Sequence, residues 1–117
     1  MILETALMCM AFNIYHEANN QSMLGQIAVG QVVMNRVEDS RFPDTVCEVV
    51  KQAVTYKGTN KPVIHKCQFS WYCDGRSDEP KEKKVYQRLL TIARSIVYNN
   101  ISFISVSYTH LTLPTKR

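Results

Sequence analysis

The feature that most restricts how this chain can fold is a set of small residues inside a helical stretch. From Met23 to Val37 there is no proline, and Ile27, Val29, Val32, Val33 and Val37 cover a wide apolar arc. Gly25, Ala28 and Gly30 lie within it. Glycine inside a helix costs roughly 0.5–1 kcal/mol relative to alanine. A small residue offsets that cost where it lets a neighbouring helix come close. The stretch is therefore expected to be a central helix, with Ser22 as its N-cap. The short polar break Asn19-Asn20-Gln21-Ser22 makes the preceding helix its antiparallel neighbour.

That preceding helix is expected over residues 2–18. At about 100° per residue, Leu3, Leu7, Met10 and Ile14 form one stripe, and Glu17 falls roughly 40° from its centre. Glu17 is thus expected to be half-buried, leaning toward whatever the helix packs on, with Tyr15 and His16 beside it. A half-buried carboxyl group keeps its proton longer, as a general acid requires. The plainer reading of Glu17 is a boundary residue closing a helix. His16 points away from the Leu3 stripe and is expected at the surface or in a cap.

Beyond Val37, residues 38–42 read as a turn. Pro43 at the first position and Asp44 near the positive end of the dipole predict a third helix to about Lys51. Tyr56 to Lys66 reads as loop. The alternation in Cys67-Gln68-Phe69-Ser70-Trp71-Tyr72-Cys73 predicts a short strand, closed by an Asp74-Gly75 turn. Ser77-Asp78-Glu79-Pro80 reads as a cap for a fourth helix over residues 81–98, whose apolar face carries Val85, Leu89, Ile92 and Ile96. Ile101 to Val106 suits a strand. Residues 105–117 fit nothing before them and resemble a translated sequencing adapter. The domain is therefore placed at residues 1–104, truncated at its C-terminal end, with 105–117 as a non-native tail.

The 117 residues suit a single domain. A net charge of +4 with scattered Lys and Arg gives no nucleic-acid surface, although it suits an anionic polymer. No run reaches membrane-spanning length, and no secretory signal is visible. Of the four cysteines, Cys9 reads as a small buried hydrophobe, and Cys47, Cys67 and Cys73 as candidates for a disulfide with the pairing open. His65, Cys67 and Cys73 lack zinc-ligand spacing, so no metal and no cofactor are expected. A monomer is expected.

Four blocks in order carry a resemblance. They are Ile14-Tyr15-His16-Glu17-Ala18, Gly25 to Val37, Phe42-Pro43-Asp44-Thr45-Val46-Cys47-Glu48-Val49-Val50, and Cys67-Gln68-Phe69-Ser70-Trp71. Together they resemble the SleB-type cell wall hydrolases, a family of spore cortex-lytic enzymes with phage and bacterial relatives. The resemblance spans about residues 6–98. It implies a lysozyme-like, mainly α fold with a short strand or hairpin region. It also implies cleavage of peptidoglycan glycan strands, action at the cell envelope or outside the cell, and Glu17 as the catalytic glutamate. The lack of a visible signal suits a phage-encoded endolysin and an incomplete N-terminus equally. Two departures stand out. The family's usual Arg after Ala is replaced by Asn19, and its late Gly-Ala motif is absent.

A lytic transglycosylase needs one carboxyl group, acting first as acid and then as base, and Glu17 suffices. Hydrolysis by a muramidase or glucosaminidase asks for two carboxyls about 5–10 Å apart. Asp74 is the best second candidate, although capping its turn is the stronger role. Asp39 and Asp44 read as turn and dipole residues. Tyr15, Gln68, Phe69, Ser70 and Trp71 are the candidate sugar-binding residues. Phe69 is expected in the core, with Gln68 and either Trp71 or Tyr72 facing the cleft. Tyr15 suits core or cleft equally. Arg36 is expected to be structural. The alternative is a non-catalytic glycan-binding domain of the same fold.

Overall fold

The computed structural model describes residues 5–55, 57–59, 61–74 and 79–99. The fold is mainly helical. In chain order come α1 (Ala6–Ala18), α2 (Met23–Val37), α3 (Val46–Val50), β1 (Ala53–Thr55), β2 (Pro62–Cys67), a 3₁₀ turn (Ser70–Cys73) and α4 (Lys83–Asn99). The expected strand at 101–106 and the tail lie outside the described residues, as does Gly75.

The three capped helix starts follow from local chemistry. The Thr5 hydroxyl accepts from Met8 N–H at 3.1 Å, so α1 begins at Ala6, later than the expected residue 2. The Ser22 hydroxyl accepts from Gly25 N–H at 3.3 Å, and α2 has the bounds its sequence predicts. The expectation for the third helix needs correction. Pro43 does not open it. Thr45 caps Glu48 N–H at 3.2 Å and donates its hydroxyl to Glu48 Oε1 at 2.8 Å, so a Thr-x-x-Glu box sets the start at Val46. Ahead of it, Asp39 accepts from Arg41 N–H at 2.9 Å and from the Arg41 guanidinium at 2.7 Å, which holds the chain in a turn.

Part of the expected 56–66 loop is a strand. β2 pairs antiparallel with β1, Ala53 opposite Cys67 and Thr55 opposite Pro62, with an irregular register between. Gly58 has φ +73° between the strands, in the left-handed region that glycine enters without penalty. Beyond Cys67, the stretch that its alternation marks as a strand is not one. Cys67 and Cys73 form a disulfide with Cα atoms 6.1 Å apart. Six extended steps would span about 20 Å. The bond therefore forces the segment to coil, and it does so as the 3₁₀ turn. The other disulfide joins Cys9 on α1 to Cys47 on α3. Cys9 is buried as expected, but as half of a crosslink and not as a lone thiol.

The core lies where α1, α2 and α4 meet. Met10 and Ile14 of α1, Val33 of α2, and Leu89, Ala93 and Ile96 of α4 are all within 2% of full burial. Burying each of the larger of these side chains is worth roughly 1.5–3 kcal/mol. Gly30 is the contact point. A Cβ there would stand 2.5 Å from Ile96 Cδ1, 3.4 Å from Met10 Sδ and 3.5 Å from Ile14 Cδ1. The small residues of α2 thus serve the close approach that the sequence implies.

Candidate active site

The last turn of α1 is tied down from three directions. Tyr15 is buried, and its hydroxyl accepts from the main-chain N–H groups of Lys81 and Glu82 at 3.1 and 3.0 Å. These donors stand at the entry to α4 and have no carbonyl partner within that helix. Gln26, buried on α2, donates from Nε2 to the carbonyl of Ala18 at 3.2 Å and so caps the end of α1. From the third side, the Trp71 indole Nε1–H donates to Asn13 Oδ1 at 2.8 Å.

Aromatic contacts complete the third tie. The His16 ring stacks on Trp71 with centroids 4.7 Å apart and planes 16° apart. Phe12 meets the same indole edge-on at 6.5 Å and lies 5.3 Å from the Tyr86 ring. His16 is thus half-buried against Trp71 and is not the surface or cap residue expected. Burial raises the Tyr86 phenol above its ordinary range, and the charge of Glu79 adds to the effect.

Glu17 lies one turn on from Asn13, a spacing that sets Cβ atoms about 5–6 Å apart on neighbouring rows of the helix. It is exposed. The expectation of a half-buried carboxyl is therefore corrected. α1 ends at Ala18, and the elements packed around it cover Asn13 and Ile14 but not the final turn's outer side. The carboxylate stands near the end of the helix, one turn beyond the Asn13 that bonds Trp71.

Among the other candidate residues, Gln68 and Ser70 are exposed, Tyr72 and Asp74 are half-buried, and Phe69 and Trp71 are buried. Phe69 takes the core position expected of it. Trp71 does not present an open face to a cleft, because His16 and Asn13 occupy it. Tyr15 serves in the core, with its hydroxyl fully engaged. The Arg36 guanidinium lies 5.2 Å from the Phe42 ring and 5.4 Å from the Phe69 ring, a cation–π bracket behind the segment.

The remaining carboxylates do other work. The Arg41 guanidinium and its N–H hold the Asp39 carboxyl down at about 2, so Asp39 has no proton to give near neutral pH. Glu38, Asp39 and Asp44 line an open depression of about 470 Å³ at the turn from α2 to α3. None of its lining residues belongs to the end of α1 or to the 68–71 segment. Among the described residues, no group of three or more His, Cys, Asp or Glu could hold a metal ion.

The family described as Cell Wall Hydrolase matches residues 20–114. The chain belongs to that family. Membership makes the bacterial cell wall the target and peptidoglycan the substrate class of this hydrolase domain. No curated protein and no solved structure matches it. No helix among the described residues is long and apolar enough to cross a membrane. The family match contains Gln68, Phe69, Ser70 and Trp71, whereas Glu17 lies just before it.

Two buried polar residues that hold the end of α1 carry no role in the sequence reading. Asn13 and Gln26 are polar positions on otherwise buried helix faces, Asn13 near Met10 and Ile14, and Gln26 beside Ile27. A polar side chain that interrupts an apolar stripe is the signal that would have found both.

Proposed function

We propose that the domain cleaves the glycan strands of peptidoglycan as a lytic transglycosylase, with Glu17 as the single acid and base. Glu17 protonates the glycosidic oxygen as the bond from that oxygen to C1 of the muramic acid breaks. The resulting carboxylate takes the proton from the C6 hydroxyl of the same sugar while its oxygen bonds to C1. The product carries a 1,6-anhydro ring, no water is consumed, and Glu17 ends protonated as it began.

What supports this reading most is the 2.8 Å bond between Trp71, in the Gln-Phe-Ser-Trp segment, and Asn13, the residue one helical turn before Glu17. Gln68 and Ser70 are the exposed members of that segment and the groups available to sugar hydroxyls. Trp71 and Phe69 support them from beneath. Glu17 is exposed in the free protein, so water leaves the carboxyl only when a glycan lies over it.

The two disulfides suit a protein that works in an oxidising place, at the envelope or outside the cell. Mass analysis of the muropeptides released from purified peptidoglycan tests the mechanism. Anhydro-muramic ends are expected. Reducing ends would replace the scheme by hydrolysis, and glycan binding without cleavage would leave a binding domain.

A further inference from the structure

Asn13 is fully buried in α1, between Met10 and Ile14 in sequence and at the same depth. An indole nitrogen can only donate a hydrogen bond, so Trp71 fixes which end of the amide faces it. The oxygen is turned to Trp71. The Nδ2 end is then a buried donor with no partner. Such a group is destabilising relative to one that is satisfied. A leucine is branched alike but bulkier, and it would leave the Trp71 indole N–H unpartnered in exchange, so replacing the amide alone gains the core little. What the amide does achieve is a bond to a turn far away in the chain, and that turn carries Gln68 and Ser70.

We infer that Asn13 is a positioning residue for glycan cleavage, acting through Trp71 to hold the 68–71 segment in register with Glu17. The inference rests on the reading of this site as a glycan-cleaving one. Two further contacts agree with it. His16 stacks on the same indole from the next turn of α1, and the Cys67–Cys73 bond closes the segment into a short loop. Gln68 N–H donates to the Gln52 carbonyl at 3.0 Å, which anchors the unit at its start, while the Asn13 bond anchors it near its end. Without the second anchor the turn can rotate about the first. A displacement of about 1 Å in a positioned group costs up to a hundred-fold in rate.

The test is a cycle of Asn13→Leu, Trp71→Phe and the double variant, each measured for turnover and KM on purified peptidoglycan and for thermal unfolding. Asn13→Leu removes one unpartnered donor, the amide Nδ2, and leaves another, the indole Nε1. Its melting temperature is therefore expected near that of the wild type. Its turnover is expected to fall about ten- to a hundred-fold, with KM changed less. The double variant is expected to turn over no more slowly than Trp71→Phe alone, because the amide has no second route to the site. Trp71 is the sole tryptophan, so its emission reports the lost bond directly in Asn13→Leu.

Multiplying losses in the double variant would overturn the inference, and so would wild-type turnover in Asn13→Leu. An Asn13→Leu protein that fails to fold would show the amide to be structural and would overturn it as well. Undiminished turnover in Glu17→Gln would refute the assignment of the acid instead. It would leave this cycle standing, since the cycle is read on cleavage by whichever acid serves.

Discussion

The hydroxyl of Tyr15 accepts from the main-chain N–H of Glu82 at 3.0 Å, joining the last turn of α1 to the entry of α4. The same oxygen accepts from Lys81 N–H at 3.1 Å. It does for α4 what a serine or threonine at an N-cap does for other helices, but from a distant part of the chain. Tyr15→Phe removes the acceptor and leaves both donors in a part-buried setting. A loss of about 1–2 kcal/mol is expected, read by urea or thermal unfolding. A variant as stable as the wild type would show the cap to be idle.

Gly30 is where three helices meet. Gly30→Ala gains up to about 1 kcal/mol in helix propensity. Against this, the new methyl group must displace Ile96, whose Cδ1 would lie 2.5 Å away and which is itself 2% exposed. Overpacking of a filled core costs typically about 1–3 kcal/mol. The balance is a net destabilisation of roughly 1 kcal/mol, seen as a lower unfolding midpoint in urea. A higher midpoint would mean that the helices separate at little cost.

Much of this architecture can be read from the chain, and the parts that cannot share a cause. α2 is bounded as its sequence predicts, because the Ser22 cap and the apolar arc are local signals. β2 is not legible, because its partner β1 has three residues and no pattern of its own. The coil at Ser70–Cys73 depends on a crosslink whose pairing the sequence leaves open. His16 was misplaced for the same reason, since its partner Trp71 arrives only once that turn has formed. The exposure of Glu17 escapes a helical wheel because it depends on how far the neighbouring elements extend past Asn13. The wheel gives the direction of a side chain and not what stands opposite it.

The two disulfides should differ in what they support. Cys9 and Cys47 are 38 positions apart, so their bond closes a long loop and removes more freedom from the unfolded chain. On loop-closure entropy it is worth about 4 kcal/mol, against about 2 kcal/mol for Cys67–Cys73 with its separation of 6. The pair Cys9→Ala and Cys47→Ala is expected to lower the unfolding midpoint more than the pair Cys67→Ala and Cys73→Ala. The second pair is expected to lower cleavage more, because it frees the segment whose Trp71 is bonded to Asn13. Unfolding and turnover of both double variants check the two orders.

The most direct test of the account is turnover of Glu17→Gln on purified peptidoglycan beside the wild type. Glu17 is exposed, so folding stability should change by no more than about 0.5 kcal/mol. Removing the proton donor is expected to lower release of anhydro-muropeptides by about 10²–10⁴-fold. Release at the wild-type rate by a folded Glu17→Gln protein would contradict it.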